Sequence, residues 1–514
     1  MTSISGQTPV IIGAAQFTER SDDPGYETLS PVDITARAAQ LAIADAGLVN
    51  AVTQIDTVMT TRIFEDSAPV LEFPFGRSNN FPRSVCRRLG IEPATAIWAT
   101  AGGDTPQKLV TEACDRIASG QSHAVLIAGG EALSTSKYLQ KQGAQVDWAE
   151  ALDEPVEDRG AAIDYLTHDE IVNGLITPPL FYGFMENARR IAAGKSPEAW
   201  ATDMGALFAP LATVASTNPL AAQRDRAFTP EELITPETGN RLIASPYTQR
   251  LVARDQVNQS AALIVVSSDL ADEWGFAEAA RVYLHGQAVA GEPPVSLRPD
   301  MGAAPSAGLA LNKALDRAGC RVDEISLFDF YSCFPIAVSN AIEAVGLAPN
   351  DPRGLTLTGG LPYFGGPGNS YSMHALAELV VGLRARPGER GLVAANGGFL
   401  TKYAVGVYST TPTAHIPYDS ADLAAEMDRI GTVAVESAPN GTGTLEAYTV
   451  AYDRESAPKG ATIAGRLDES GLRFLAKVDR EDIDTLHAVA TGDPGGRAVV
   501  VTAGEQGNRF RFTR

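Results

Sequence analysis

Residues 98–134 read WATAGGDTPQKLVTEACDRIASGQSHAVLIAGGEALS, and the order of elements in this stretch decides the fold. Residues 95–101 are short, apolar and β-prone, Gly102-Gly103 permits a sharp backbone turn, and Thr105-Pro106 supplies a helix cap followed by proline at the first helical position. Leu109, Val110, Ala113, Ile117 and Ala118 then recur at helical spacing until Gly120. Residues 123–128 are an apolar strand ending in a second double glycine, Gly129-Gly130. A strand, turn, helix and strand in this order place the turn at a helix N-terminus. Free backbone N–H groups there hold an anion or a polarised carbonyl oxygen.

The same alternation extends on either side. A strand over 10–17 precedes a helix that starts at Ser30-Pro31, lines Ile34, Ala38, Leu41, Ala42 and Ala46 on one face, and stops at Gly47. A strand over 55–61 follows, and strand–helix–strand order predicts parallel pairing. Residues 73–82 read as a loop and 83–89 as a short helix. Between 135 and 245 the pattern changes to acidic loops around 150–164 and helices over 181–193 and 197–216, the character of an inserted lid. Sheet returns at 260–267, SAALIVVS. The second half repeats the layout: a strand at 281–285, a helix over 306–318, a strand at 325–330 and a helix over 335–345. A glycine-rich turn at 359–368, a helix through His374 and Leu383, and strands at 392–395 and 404–408 complete it. Past Pro412 a polar linker helix leads into short strands at Thr432-Val433, 443–451, 461–467 and 473–478.

A chain of 514 residues implies about three domains. Its net charge of −21 disfavours nucleic acid and anionic membranes, so a phosphorylated ligand requires a local basic patch set against the overall field. Four cysteines, Cys86, Cys114, Cys320 and Cys333, show no metal-ligand or disulfide spacing, which predicts a reduced, cytoplasmic protein. No segment approaches the ~20 apolar residues of a membrane span, and no dinucleotide fingerprint is present.

Gly129-Gly130-Glu131-Ala132-Leu133-Ser134 resembles the GG-x-E-x-M-S strand end of the thiolases. Counting back without gaps puts the nucleophilic cysteine of that family at Gly103. Asp329-Phe330-Tyr331-Ser332-Cys333-Phe334 resembles the family's E-x-H/N-D/E-x-F element, with Tyr331 in place of the His or Asn. Gly365-Gly366-Pro367 resembles G-H-P, with Gly366 in place of the base histidine, and Asn396-Gly397-Gly398 resembles C-x-G, with Asn396 in place of the second cysteine. The resemblance implies an α/β, duplicated thiolase fold, two βαβαβαββ-type halves layered α-β-α-β-α. The N-terminal half spans 1–270 with its lid at about 135–245, the second half 271–413, and the tail, 414–514, resembles a small OB-like barrel. Coenzyme A or an acyl-CoA is the implied ligand, with no covalent cofactor and no metal. A homodimer is implied by the resemblance, or a monomer if the tail blocks association.

A thiolase needs a thiolate to carry the acyl group, a histidine to generate it, and a second thiol for the α-carbon proton; Gly103, Gly366 and Asn396 supply none of these. The remaining candidates are Tyr331 and Asn396 for catalysis and Gly102, Gly103, Thr105 and Gly398 for thioester or CoA contacts. Each has a plainer alternative: Tyr331 and Tyr363 as core tyrosines, Cys333 and Cys114 as buried apolar residues, His374 as a satisfied helix histidine. Three functions follow. The first is an acyl-CoA-binding protein of the acetyl-CoA acetyltransferase family without cysteine catalysis. The second is a retro-aldol lyase on a β-hydroxyacyl-CoA, in which Tyr331 moves the proton and needs a cation or donors to depress its pKa. The third is an assembly protein whose tail binds a partner.

Overall fold

The computed structural model describes residues 5–48, 52–67, 72–162 and 165–513; residues 163–164, at the end of the acidic loops, lie outside it. Two sheets share one layout. In the first, Pro9–Thr18 pairs antiparallel with Asn258–Ser267, which pairs antiparallel with Ala124–Ala132, which is parallel to Thr57–Thr60. In the second, Tyr283–Gly291, Lys402–Ser409, Arg390–Gly397 and Leu327–Phe330 repeat that order and the same sequence of orientations. Helices Thr105–Ala118 and Tyr371–Arg384 lie between the sheets. Their Leu109, Ile117, Met373 and Leu383 share one buried core with Met59 and Leu263 of the first sheet and Leu327 and Val393 of the second. The duplicated, layered arrangement implied by the sequence is the one observed.

Parallel pairing holds for Thr57–Thr60 with Thr95–Trp98 and Ala124–Ala132, but not for Pro9–Thr18, which the strand Asn258–Ser267 separates from them. A strand returning from beyond the lid intervenes, which local alternation does not reveal. Ala124–Ala132 also runs straight through Gly129-Gly130, because the two glycines let Ser260 and Thr61 approach the strand more closely than a Cβ allows. The helix Pro31–Asp45 is capped as expected, with the Ser30 side chain accepting from the Asp33 backbone N–H.

Beyond Thr95–Trp98 the first sheet ends in a two-residue strand, Glu157–Asp158, parallel to Ile97 and Trp98. Arg159 fastens this segment through a bidentate pair with Glu112 at 2.6 and 2.8 Å and a bond from its backbone N–H to the Trp98 carbonyl at 3.0 Å. Edge N–H and C=O groups that would otherwise be free for another strand are thereby covered by the chain itself.

The lid carries helices Leu133–Gln142, His168–Val172, Pro178–Ala192, Pro197–Thr217 and Pro230–Ile234. The tail is a closed five-stranded barrel in the order Gly441–Tyr452, Pro458–Leu467, Arg473–Val478, Arg509–Phe512, Ala498–Thr502 and back, with Ile483–Thr491 as its helix. Thr432-Val433 is not a strand; the Val433 N–H is bonded to the Leu297 carbonyl instead. Alternation along Arg473–Val478 sends Phe474, Ala476 and Val478 into the barrel core and Arg473, Leu475 and Lys477 outward. That outer face is not solvent-facing. Ala447, Ala464 and Leu475 belong to the large core of the body, Thr462 donates to the Asn173 carbonyl at 2.7 Å, and Lys477 donates to the Val172 carbonyl at 2.8 Å. On the lid helix Pro178–Ala192, Arg190 holds Asp493 of the barrel at 2.7 Å and Asn187 donates to the Tyr448 carbonyl at 3.1 Å.

Removing residues 414–514 therefore strips one wall from the core that the lid and second half share. The expected outcome is a truncated chain without a cooperative thermal transition, read by circular dichroism. A soluble truncation that melts like the full chain would show the barrel to be an independent appendage.

Candidate functional site

The turn after Thr95–Trp98 is held by the second half. Gly102 donates its N–H to Asn369 Oδ1 at 2.8 Å, and the Gly103 carbonyl accepts from Ser372 Oγ at 2.7 Å. The helix begins one residue earlier than expected. Asp104, not Thr105, is the N-cap residue, and the Thr105 hydroxyl donates to the Thr100 carbonyl at 3.0 Å, so it is spent on the turn rather than presented to a thioester. Asp104 makes no capping bond and is 1 % exposed. Neither of its carboxylate oxygens has a hydrogen bond among the described residues, and Lys108 Nζ stands 3.6 Å away. A buried carboxylate here meets the positive end of the helix from within the protein and repels a substrate oxyanion.

Gly103 is enclosed. A Cβ built on it would lie 2.5 Å from the Asn396 carbonyl oxygen and from Tyr331 Cζ, and closer still to the Tyr331 hydroxyl. Tyr331 and Asn396 thus do converge on Gly103, but they fill the volume a nucleophile's side chain would need. Tyr331 is fixed by its N–H to the Ala394 carbonyl at 2.9 Å and by edge-to-face contact with Tyr371, centroids 5.3 Å apart. Burial pushes its phenol well above the ordinary tyrosine range, and Cys333 and Asp104 push the same way. The cation that a tyrosinate base requires is not among the groups acting on it, so Tyr331 is equipped to donate a hydrogen bond or proton, not to accept one.

Asn396 is 2 % exposed and accepts from Tyr182 Oη at 3.4 Å. Tyr182 comes from the lid helix, stacks on Phe334 at 4.2 Å and shares a hydrogen bond with Cys333, whose thiol burial pushes up to about 12. A thiol so placed is inert. Tyr182 has no sequence motif; only its place on an amphipathic lid helix marks it.

Gly366 is placed differently from Gly103. Its N–H donates to the Arg254 carbonyl at 2.8 Å, and a Cβ there would meet only ordinary contacts of 3.4 Å with that carbonyl and with Leu361. Its loop reaches the turn through Asn369 and Ser372 rather than through Gly366 itself. Gly398 opens a run of three left-handed residues, with φ of 55° at Gly398, 58° at Phe399 and 59° at Leu400. Each of the two non-glycine residues costs about 1–2 kcal/mol in that conformation. The run projects Phe399 onto Phe181, centroids 4.3 Å apart, and edge-on to Tyr165 and Tyr182. Cavities of about 390 Å³ beside Glu112 and Asp115 and about 670 Å³ beside Glu436 and Asp468 are lined by none of these rings.

Arginines gather on the other side of the glycine-rich loop. Arg226 and Arg250 lie over the Phe228 ring at 4.5 and 4.9 Å, and Phe228 in turn packs on Tyr363 at 5.9 Å. The Arg254 N–H bonds to the Leu361 carbonyl at 3.1 Å, and Ala222 and Gln223 bond to the carbonyls of Phe364 and Tyr363. Arg226 and Arg254 are exposed and enter no ion pair among the described residues. In a chain of charge −21 these are two exposed cations without an ion pair among the described residues, and sequence inspection missed them because they are scattered among acidic neighbours such as Asp225 and Asp255.

Two buried titratable groups serve the scaffold. Asp329 Oδ2 accepts from Thr356 Oγ1 and the Leu357 N–H, both at 2.9 Å, pinning the start of the glycine loop, and burial outweighs these donors to raise its pKa to about 6. His374 Nδ1 lies 2.8 Å from Gln16 Oε1, and burial drives its pKa down to about 3, so the ring is neutral and shuttles no proton.

Gly103→Ala should destabilise the protein by roughly 1–3 kcal/mol, since the added methyl overpacks against a backbone carbonyl that cannot swing away. Tyr331→Phe should not relieve it, because the ring carbon remains; urea unfolding of the two single variants and the double checks both points. Full rescue by Tyr331→Phe would contradict this packing. His374, neutral in the folded state and titrating near 6.5 when unfolded, contributes stability that is whole above pH 6.5 and lost as pH falls toward 3, at about 1.4 kcal/mol per pH unit. Asp329, raised in the fold, acts oppositely between pH 3.8 and about 6, so the comparison must be with His374→Gln. The stability difference between wild type and His374→Gln should tilt against the wild type below pH 6.5. A pH-independent difference would mean the ring is charged in the fold.

Known proteins place the chain. The family described as the thiolase-like protein type 1 additional C-terminal domain matches residues 422–506. Among solved structures, the monomeric SCP2-thiolase-like protein type 1 of Mycobacterium smegmatis is 40% identical, with 99% of this chain and 100% of that one covered at a TM-score of 0.84. The Ltp2–ChsH2(DUF35) aldolase, 19% identical over 78% of this chain and 98% of that one, superposes at 0.57. Human mitochondrial 3-ketoacyl-CoA thiolase in complex with CoA, 16% identical over 80% and 100%, superposes at 0.55. These last two share the fold. No curated protein matches the chain in sequence. The full-length identity to the mycobacterial protein, together with the domain match, shows that the chain belongs to the SCP2-thiolase-like proteins of the thiolase superfamily.

Proposed function

We propose that the protein binds coenzyme A or a CoA thioester as a monomer and carries out no acyl transfer through cysteine. The observation that carries the binding is the pair of exposed arginines: Arg226 and Arg254 enter no ion pair among the described residues, and the glycine-rich loop to which residues 222, 223 and 254 are bonded runs on to Asn369, which holds the Gly103 turn. Guanidinium groups engage phosphates through charge-assisted, bidentate bonds. The human thiolase with which the fold is shared was solved with CoA, which supports the same ligand class. The absence of acyl transfer rests on the packing over Gly103, where a carbonyl and a phenol stand in the place of a thiol.

Monomeric behaviour accords with the description of the mycobacterial relative and with the Glu157–Asp158 strand that covers the sheet edge. A retro-aldol lyase gains less support, because the proton acceptor it needs is not supplied by a phenol whose pKa is raised. Isothermal titration with CoA should show binding that Arg226→Ala weakens roughly tenfold, the ordinary loss of about 1.4 kcal/mol for one charged hydrogen bond. Incubation with acetoacetyl-CoA should leave the protein mass unchanged. Silence in the titration up to millimolar CoA, or a covalent acyl adduct by mass spectrometry, would defeat the proposal.

A further inference from the structure

Arg473 belongs to the barrel, yet its guanidinium ends inside the body. It donates to the carbonyls of Ser296 and Pro299, each at 3.1 Å, and to the carbonyl of Arg298. Arg298 is itself 1 % exposed. Its Nη2 donates to the carbonyls of Phe399 and Leu400, both at 3.1 Å, its Nε to the Pro293 carbonyl at 2.9 Å, and its Nη1 lies 3.6 Å from Met185 Sδ on the lid helix. The two carbonyls that Arg298 Nη2 grips belong to the left-handed pair Phe399 and Leu400. A left-handed turn of two bulky L-residues does not stand alone; it persists where surrounding contacts over-determine it. Here those contacts are Arg298 and the Thr401 N–H, bonded to the Gly397 and Gly398 carbonyls at 3.2 Å.

The ring that this turn presents packs on the lid helix. Phe399 stacks on Phe181 and meets Tyr182 edge-on, and Tyr182 covers Cys333 through its hydrogen bond and its stacking on Phe334. We propose that Arg473 and Arg298 form a relay by which the C-terminal barrel holds Phe399 against Tyr182, and so sets solvent access to Cys333, which Tyr182 covers. Both are positioning residues, since their bonds go to backbone carbonyls and not to the turn at Gly103.

Pulsed iodoacetamide labelling of the native full-length protein, resolved by site with mass spectrometry, tests it. Cys333 reports on the cover formed by Tyr182 and Phe399, and Cys114, buried in the core between the two sheets, reports on general loosening. Arg473→Lys keeps the charge but loses the fork that reaches three carbonyls. It should raise Cys333 labelling roughly tenfold, the factor given by about 1.4 kcal/mol of lost restraint, and leave Cys114 at the wild-type rate. Phe399→Ala, which leaves both arginines in place, should raise Cys333 labelling to a similar degree, and the double variant should add nothing further. The relay is overturned if Cys333 keeps its wild-type rate in Arg473→Lys, if Cys333 and Cys114 accelerate together, or if the two substitutions multiply. Should Arg473→Lys not fold, Phe399→Ala alone decides: no change in Cys333 labelling removes Phe399 from the cover of Cys333 and the relay with it.

Discussion

No side chain fits on Gly103, and much else at the site follows from that. A turn feeding a helix N-terminus normally offers open space and unpaired N–H groups to a reacting carbonyl. Here the space holds the Tyr331 phenol and the Asn396 carbonyl, while the buried Asp104 carboxylate stands at the helix end. Substituting a thiol back at one position would meet a backbone atom, a ring and a negative charge together. The site is a remodelled part of the core, in which changes at positions about 70 and 230–290 residues apart in sequence are mutually consistent, and it cannot be read as a thiolase centre short of one atom.

Large parts of this were legible in the sequence. Ser30 capping a helix, proline at a first helical turn, and the double glycine before residue 104 are local rules, and the observed elements obey them. Tyr331 and Asn396 were found through the resemblance of their surroundings to thiolase motifs, and the fold places them just after one strand and near the end of its neighbour. What escaped has a common cause. Tyr182, Phe399 and Arg298 act on the site from the lid, from a left-handed turn and from a loop of the second half, and no local pattern distinguishes a tyrosine that faces Asn396 from one that fills a core. Asp104 escaped for a different reason. Thr-Pro is so good a capping signal that the residue before it looked like loop, although the helix enters through Asp104 without using its carboxylate. The strands Ala498–Thr502, a β-prone run, and Arg509–Phe512, which alternates Arg with Phe, were passed over because they are only five and four residues long and find their partners only once the barrel closes.

The barrel bears on function through the face it has given up. Small OB-type barrels take their ligands on the second and third strands and in the loops that border them. Those are the surfaces buried here. Thr462, Arg473 and Lys477 are bonded to the body, and the loop after the first strand is held by Arg241 on the Asp453 carbonyl and by Leu242 on Ser456. On the last loop, the Asn508 N–H donates to Asn173 Oδ1 at 2.7 Å. An assembly role through that face would require the barrel to leave the body, a step that costs the burial of Ala447, Ala464 and Leu475 and the three carbonyl bonds of Arg473. A partner's binding energy would have to exceed that before any net association appeared. The same contacts, kept, give the barrel a purpose inside its own chain: it is the wall against which the lid helix Pro178–Ala192 is pressed, and that helix carries Tyr182 to Asn396 on one side and Arg190 to Asp493 on the other.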